Sequence, residues 1–432
     1  MICLQTLPIR GEGMRGWLAP RTLLTCLILL FQFSTSQFIQ AQVWSLEDCI
    51  HYAWEHNPQI HSGMLKETQQ RIEHQGSWAA FLPTLTSGAS TDAQSTNPFH
   101  WQWEWEIQGN LNLFEGGRRI NQFQATKALW HESIAQNEWL RSQLRERITQ
   151  QFLQTLLTQE LFLLAEQSRS HVVTQRDHTQ NLVDAGTLPY ASLSELEAQV
   201  ARVLYQETQA FHQYQQELLL LRQLLNLPPD QPFCLDTNQT SLIPPFEPLN
   251  ADQLYAQTQQ HPQLKVARHH VASTRHHWLA AQGALFPTLF LQAGSNSYLR
   301  GEISIRLGLQ WTLSNQGHTV RTIRTAELQH KQSQLQLMQV QQDHYKTLQT
   351  LIHEATCAYQ QFLAATRNHQ AQEDAFRHVV NKFNLGLLDG RDYALAHQER
   401  IQARCEMLQS QYAYLYQRKI LEYYQNTGNG WE

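Results

Sequence analysis

The sequence predicts a mostly α chain with a small β part, built by internal duplication from two copies of one unit. Three observations predict it. First, Asn57-Pro58-Gln59-Ile60 returns as His261-Pro262-Gln263-Leu264, and Phe81-Leu82-Pro83-Thr84-Leu85 returns as Leu285-Phe286-Pro287-Thr288-Leu289, both 204 residues on. Asn112 to Gly117 then aligns with Thr312 to Gly317, and Asp184-Ala185-Gly186 with Asn384-Leu385-Gly386, at an offset of 200. Second, no glycine or proline falls between Gly117 and Gly186, or between Gly317 and Gly386. Such stretches, rich in Gln, Leu, Glu, Arg and Ala, form helices, and at 1.5 Å per residue roughly 65 residues make a rod of about 100 Å. Third, each copy holds one long stretch of strict apolar–polar alternation, the period of a strand.

In chain order, Arg10, Arg15 and Arg21 precede the apolar run Leu23 to Phe33 and then small and polar residues up to Ala41. That is the order of a secretory signal, so residues 1–41 are expected to be a leader, with Met14 an alternative start. Cys26 sits inside the apolar run and is poorly placed for lipid attachment. The first repeat spans 42–227. Its short helices, Leu46 to His56 and Gln59 to about Ala80, are separated by the Asn57-Pro58 stop. A β-hairpin at 84–113 follows, then the first rod and a return helix from Tyr190 to Leu227, with the tip of this helical hairpin near Gly186. Residues 228–249, proline-rich and extended, are a linker. The second repeat, 250–427, has helices Ala251 to Gln260 and Gln263 to about Ala284, a β-hairpin at 288–313, a rod, a tip near Gly386 and a return from Arg391 to about Gln425. On the second rod Tyr345, Leu348, Ile352, Ala355, Tyr359 and Phe362 step three and four apart, and the frame recovers Phe376, Val380 and Phe383. That is a coiled-coil seam.

Trp101, Trp103, Trp105, Ile107, Leu111 and Leu113 alternate with polar residues that include Glu104 and Glu106. In the second copy Ile303, Ile305, Leu307, Leu309, Trp311 and Leu313 alternate with residues that include Glu302 and Arg306. Weaker strands at Thr84 to Ala93 and Thr288 to Ser297 complete one hairpin per repeat. These lengths match the 9 to 11 residues that cross a bilayer at a tilt, although the same alternation also fits a half-buried strand in a soluble sheet. If the strands enter lipid, the sheet must close, because edge N–H and C=O groups have no water there. Four strands cannot enclose a pore, so several chains must share the barrel, and a trimer would give twelve strands. The apolar set Trp101, Trp103, Trp105, Ile107, Leu111, Ile303, Ile305, Leu307, Leu309 and Trp311 would then face lipid, and Glu104, Glu106, Glu302 and Arg306 the lumen.

A net charge of -5, with no basic stripe, argues against a nucleic-acid partner. Beyond the leader, Cys49, Cys234, Cys357 and Cys405 are too few for a disulfide framework. Cys405, in the apolar series Ile401, Cys405, Leu408, Tyr412, Leu415, reads as a small buried hydrophobe. His269, His270, His276 and His277 share one helix without the spacing of a zinc site and read as a polar helix face. No catalytic motif, cofactor fingerprint or metal site appears, so the chain is not expected to be an enzyme.

Trp44-Ser45-Leu46-Glu47-Asp48-Cys49 with Asn57-Pro58 opens the first repeat, Leu113-Phe114-Glu115-Gly116-Gly117-Arg118-Arg119 turns strand into rod, and the two glycine tips follow in doubled order. On these residues the chain resembles the TolC-type outer-membrane efflux proteins, and the resemblance covers nearly all of the mature chain. It implies a homotrimeric 12-stranded outer-membrane β-barrel continued into the periplasm by a tunnel of long antiparallel coiled coils. It also implies a tunnel end docked on a periplasmic adaptor (membrane fusion) protein that links it to an inner-membrane transporter, in a tripartite efflux or type I secretion system. The helical tips Gly186, Thr187, Leu188 and Gly386, Leu387, Leu388 would be the adaptor contacts. The family's entrance gate places a Tyr, an Arg and two Asp around the second tip. Here those positions are Phe383, Leu388, Asp392 and Leu395, and Asp389, Arg391 and Asp392 are expected to supply the constriction charges. A solvated turn with Asp as helix cap is the competing reading of the same residues. The competing reading of the whole chain is a secreted coiled-coil scaffold or a periplasmic adaptor without a pore. Adaptors usually carry one helical hairpin between two halves of a β domain, whereas here two helical hairpins each follow a β-hairpin.

Overall fold

The computed structural model describes residues 43–94, 100–228, 233–236, 244–247, 249–296 and 302–426. The expected leader, with Met14 and Cys26, lies outside them. Helix α1 (Leu46–His56) starts at a capping box in which the Ser45 hydroxyl accepts from the Asp48 N–H and the Asp48 carboxylate accepts from the Ser45 N–H. Asn57 ends α1, and its Oδ1 accepts from the Gln59 N–H at 2.8 Å to open α2 (Pro58–Ser77) with proline in the first turn. The second copy repeats the device. Helix α5 (Ala251–Gln257) is capped by Asn250, a 3₁₀ turn follows, and His261 Nδ1 accepts from Gln263 to open α6 (Pro262–Gln282).

Rods α3 (Arg118–Asp184) and α7 (His318–Asn384) each run for 67 residues, and α4 (Tyr190–Leu225) and α8 (Gly390–Asn426) return beside them. The expected seam is buried at Leu348, Ala355, Phe376 and Phe383 and half-buried at its other positions: Leu348 and Ala355 pack with Leu254 and Leu421, and Tyr359 lies against Tyr414 with ring centres 5.1 Å apart. A larger core joins α1, α3, α4 and α8 through Ile50, Ile148, Phe152, Leu156, Leu221 and Leu408. Inside the linker, β4 (Cys234–Leu235) pairs in parallel with β1 (Val43–Trp44), a two-residue bridge too short to read from sequence.

Helix α6 lies between the two rods. Toward α3, His269 stacks on His131 at 5.5 Å, Lys265 Nζ meets Glu138 at 3.4 Å, His270 Nδ1 meets Glu132 at 3.2 Å and His276 Nδ1 lies 3.2 Å from Asn121 Oδ1. Toward α7, Thr274 Oγ1 is 2.7 Å from Ser333 Oγ, and Trp278 stacks on His330. His269, His270 and His276, expected on a polar surface, are therefore contacts between helices. The sequence cannot show this, because a helix wedged between two rods has two interfaces and one of them here is polar.

Four strands form one antiparallel sheet in the order β2 (Thr84–Gln94), β3 (His100–Phe114), β5 (Thr288–Asn296), β6 (Ser304–Gln310). The two hairpins meet at β3 and β5. Strand β6 is shorter than its alternation suggests, and Glu302, Ile303 and Trp311 lie outside it. Pairing stops at Thr288 with Gln310, because the preceding Pro287 has no N–H to continue the ladder. Trp311 instead donates its indole N–H to the Leu285 carbonyl at 3.1 Å.

Each strand-to-rod turn uses two successive left-handed residues, Gly116 and Gly117 in the first copy, Gln316 and Gly317 in the second. At Gly116 a Cβ would lie 2.5 Å from the Gly283 carbonyl oxygen and 2.8 Å from Phe286 Cβ, whereas at Gly117 the nearest atom is Asn121 Nδ2 at 3.7 Å.

Near the rod tips a separate core forms from Leu196, Phe376, Phe383 and Tyr393. The Tyr393 hydroxyl bonds His171 Nε2 at 3.0 Å, His171 stacks on His397 at 5.6 Å, and the Arg400 guanidinium, paired with Glu373, lies over the Phe376 ring at 4.4 Å. Burial pushes the His397 imidazole down to about 3, with Arg400 and His171 adding to the effect. Burial, with Arg400, also holds His171 below its ordinary value against the opposing pull of Glu373.

Two outcomes follow from this packing. Gly116→Ala is expected to lower the melting temperature far more than Gly117→Ala, which carries only the left-handed cost of about 1–2 kcal/mol; equal losses would contradict the close approach to Gly283. At the tip, the folded His397 binds its proton more weakly than the unfolded one, whose value is near 6.5. The tip core is therefore fully stable above about pH 6.5 and loses stability as pH falls from there toward 3. Amide exchange at residues 376–400 should accelerate between pH 7 and pH 5, after correction for intrinsic rates, and less so in His397→Phe; unchanged protection would refute the assignment.

Candidate functional site

Strand register sorts the sheet into two faces, because residues paired across strands point the same way. One face carries Leu85, Gly109, Ala293 and Ile305 in one row, Leu111, Leu291 and Leu307 in the next, and Ile107 with Ser295. Leu289 and Leu309 extend it toward the helices, and Ala89 with Trp105 and Thr91 with Trp103 extend it away from them. Nothing in the chain covers this face: Leu85 is 77% exposed, Trp103 76% and Ile305 73%. The opposite face carries Thr84, Asn110, Gln292 and Arg306, then Thr86, Gln108, Gly294 and Ser304, then Gly88 and Glu106, then Ser90 with Glu104.

The predicted apolar strand residues from Trp103 through Ile107 and Leu111 to Ile305, Leu307 and Leu309 thus share one face, and Glu104, Glu106 and Arg306 share the other. For Trp101 the structure gives the backbone pairing, with Ala93. Sequence reading missed Leu85, Leu289 and Leu291, which complete the apolar rows from the weaker strands. It was misled there by Phe290, which interrupts the alternation of β5. Phe290 stands on the polar face, where its ring occupies the space that a Gly308 side chain would fill. Among the described residues, edge strand β2 pairs only with β3, and edge strand β6 only with β5.

At the far end of the rods both tips close by the same hydrogen bonds. Gly186, at φ 74°, donates to Val183 O and Thr187 to Leu182 O, each at 2.9 Å. Gly386, at φ 71°, donates to Phe383 O at 2.9 Å and Leu387 to Lys382 O at 3.0 Å. These are Schellman closures, in which the left-handed glycine satisfies carbonyls the rod leaves unpaired. The tips adjoin, since a Cβ on Gly386 would lie 4.0 Å from Leu188 Cδ2. Gly186, Thr187, Gly386 and Leu387 are exposed, while Leu188 and Leu388 are half-buried, Leu388 against the tip core.

Phe383, expected at a constriction, is buried in the tip core instead. Asp389, Arg391 and Asp392 are exposed beside it. Asp389 Oδ1 accepts from the Asp392 N–H at 2.9 Å and so caps α8. The capping role and an exposed charge coexist, because the cap uses one carboxylate oxygen. At Gly390 a Cβ would meet Glu195 Oε2 at 2.8 Å and Ser192 O at 3.1 Å, so glycine lets the start of α8 press against the first turns of α4. Among the described residues no group of three or more His, Cys, Asp or Glu could hold a metal ion, and no helix is long and apolar enough to cross a membrane.

Residues 254–424 match the family model described as outer membrane efflux protein. No curated protein matches the chain. Among solved structures, the CusC channel has a TM-score of 0.80 at 17% identity, over 90% of this chain and 92% of its own. The MtrE outer membrane channel of Neisseria gonorrhoeae, described in its open state, has 0.76 at 17% identity over 89% of each chain. The outer membrane protein VceC of Vibrio cholerae has 0.76 at 14% identity, over 90% of this chain and 97% of its own. The second repeat thus matches the outer membrane efflux protein model, and the fold over about nine tenths of the chain is similar to that of these outer membrane channels.

Proposed function

We propose that the chain is one third of a homotrimeric outer-membrane channel-tunnel, a passive exit duct with a large periplasmic part. It serves a tripartite efflux or type I secretion system, coupled through a periplasmic adaptor to an inner-membrane transporter. The observation that carries this reading is the sheet: one face mainly apolar and uncovered, the other mainly polar, and both edge strands unpaired on their outer sides among the described residues. In hydrocarbon such edges are tolerated only if strands of further chains complete the ladder. The contact of β3 with β5 inside the chain is the template for β6 against β2 of the next chain.

The helices support the same assembly through the duplication. Asn121, Ala125, Ala128, Glu132 and Ala135 step four and three apart on the α3 face that receives α6, and the three alanines are buried. Two hundred residues on, the same face of α7 carries Leu328 and Leu335, which are 64% and 65% exposed. The partner α6 has inside the chain corresponds to α2, whose outer side shows Leu65 and Ile72, 72% and 60% exposed. Leucines waiting on α7 and apolar residues waiting on α2 are the two halves of one contact between neighbouring chains. A scaffold or adaptor without a pore would leave the apolar sheet face and both of these helix faces wet.

At the tunnel end, Asp389, Arg391 and Asp392 supply the charges at the constriction. The exposed tip residues Gly186, Thr187, Gly386 and Leu387 offer small and apolar contacts to the adaptor's helical hairpin. A ring of carboxylates at a narrow pore favours cations.

Detergent-extracted protein should have three times the mature mass and form cation-preferring channels in a planar bilayer; a water-soluble monomer without channels would reject the proposal. Leu65→Glu and Leu335→Glu should each shift the mass toward monomer while keeping the helical circular dichroism. Leu307→Arg should cost about 2–4 kcal/mol of membrane stability, whereas Arg306→Leu should leave the trimer intact and alter conductance. Asp389→Asn, which keeps the cap, and Asp392→Asn should together weaken the cation preference; an unchanged reversal potential would remove these residues from the constriction.

A further inference from the structure

The strand-to-rod turn of the first repeat borders an open notch of about 270 Å³. Its apolar walls are Phe81 from the 3₁₀ turn after α2, Leu111, Leu113 and Phe114 from the end of β3, and Ile120 from the first turn of α3. A bulge brings the last of the strand residues round. Asn112 pairs with Phe290 but Phe114 with Leu289, so β3 gains one residue against β5 and Phe114 joins Leu289 on the apolar face. The notch therefore continues the uncovered apolar face of the sheet at its rod end, which is the periplasmic end, and Phe114 and Ile120 are 49% and 59% exposed there. Of the charged groups at its rim, the Glu115 carboxylate accepts from Asn112 and is paired with Arg119 at 3.6 Å, while Arg119 donates to the Ala80 carbonyl at 2.8 Å and lies 5.5 Å from the Phe81 ring centre. Arg118 also lines the notch and is exposed, and among the described residues its guanidinium has no partner. The second repeat lacks this arrangement. Trp311 corresponds to Leu111 and Leu285 to Phe81, and the Trp311 indole reaches across to the Leu285 carbonyl at 3.1 Å; His318 and Thr319 stand where the first repeat has Arg118 and Arg119.

We propose that this notch holds one anionic glycerophospholipid of the periplasmic leaflet, with an acyl chain against Leu111, Leu113 and Phe114 and the phosphate on Arg118. The site rests on the membrane reading of the sheet given above, which brings the strand-to-rod turns to headgroup depth. A guanidinium is always charged and offers paired N–H donors to a phosphodiester. Glu115 and Arg119 neutralise each other, so Arg118 leaves the rim positive and selects a net-negative headgroup over a zwitterionic one. A free anion would leave the apolar walls wet, and an uncharged hydrocarbon would leave Arg118 unmatched. A phospholipid satisfies both. Because the second repeat closes the equivalent place with Trp311, a trimer would carry three such sites rather than six.

The test is native mass spectrometry of the detergent-extracted protein titrated with phosphatidylglycerol and, separately, with phosphatidylcholine of the same acyl chains. Phosphatidylglycerol should saturate at one molecule per chain and bind about five-fold tighter than phosphatidylcholine, the preference one arginine near a membrane surface provides. Arg118→Gln should bring the two lipids within two-fold of each other. Arg321→Gln, which removes an exposed charge from the first turn of α7, should leave the preference intact. Leu111→Trp, which gives the first repeat the residue of the second, should abolish saturable binding of both lipids. Adducts that never saturate, a preference that survives Arg118→Gln, or one that falls equally in Arg321→Gln would overturn the proposal. So would a trimer that retains no lipid, because a neighbouring chain or detergent then covers the notch, or displacement by inorganic phosphate alone with no effect of Leu111→Trp, which would make Arg118 an ordinary anion contact. The same spectra report the assembly: monomer alone would reject the duct, whereas a lipid-free trimer rejects only this site.

Discussion

Unpaired backbone groups at the edges of an open sheet are the constraint on which the rest of the molecule depends. In water an edge strand is merely sticky, but in hydrocarbon each bare N–H and C=O costs several kcal/mol. A four-stranded sheet with one apolar face can therefore neither remain open in a membrane nor close on itself. Every larger feature is consistent with that dilemma. In the proposed trimer the duplication supplies two equivalent hairpins, so that one rule of adjacency, β3 beside β5, can repeat from chain to chain. The rods fix the strand ends through the two left-handed turns at Gly116–Gly117 and Gln316–Gly317, which hold each hairpin at a set angle to its helix.

Most of this architecture is legible in the sequence because its signals are long. A stretch of 67 helical residues without glycine or proline, or a 15-residue strand alternating around tryptophans, leaves little local ambiguity. The repeat offset then places each element twice. What stayed hidden depends on neighbours rather than on period. The His269–His131 and His270–Glu132 contacts look like ordinary solvated side chains until α6 is seen between two rods. Phe290 reads as a break in alternation because its partner is an absence of side chain, at Gly308 across the strand. Phe383 looks like a gate residue by its distance from Gly386, yet it sits on the inner side of the rod and packs with Tyr393 at 5.0 Å.

The two repeats have also diverged where the chain economises on contacts. Alanines at 125, 128 and 135 let α6 approach α3 closely, and polar pairs then fix its position. The corresponding α7 face is built with leucines, which suits contact with α2, an apolar helix at Leu65 and Ile72. One interface is made during folding of a single chain and can rely on proximity. In the proposed trimer the other forms between separate chains, where association costs translational freedom, and apolar burial is the general means of offsetting it.

Divergence at the tips has a consequence for symmetry. Both close with a left-handed glycine and the same pair of backbone hydrogen bonds, so the rods end alike. The return helices start differently. Asp389, Arg391 and Asp392 of the second tip correspond to Pro189, Ala191 and Ser192 of the first, and α4 begins without a side-chain cap where α8 begins with one. Gly390 corresponds to Tyr190, which is exposed, whereas Gly390 is buried against Ser192 and Glu195. In the proposed trimer the tunnel end would present six nearly equivalent helical hairpins, with Asp389, Arg391 and Asp392 on alternate ones and the exposed Asp184, just before Gly186, on the others. The two kinds of tip would thus place their charges on opposite sides of the glycine, before it in the first repeat and after it, at the start of the return helix, in the second.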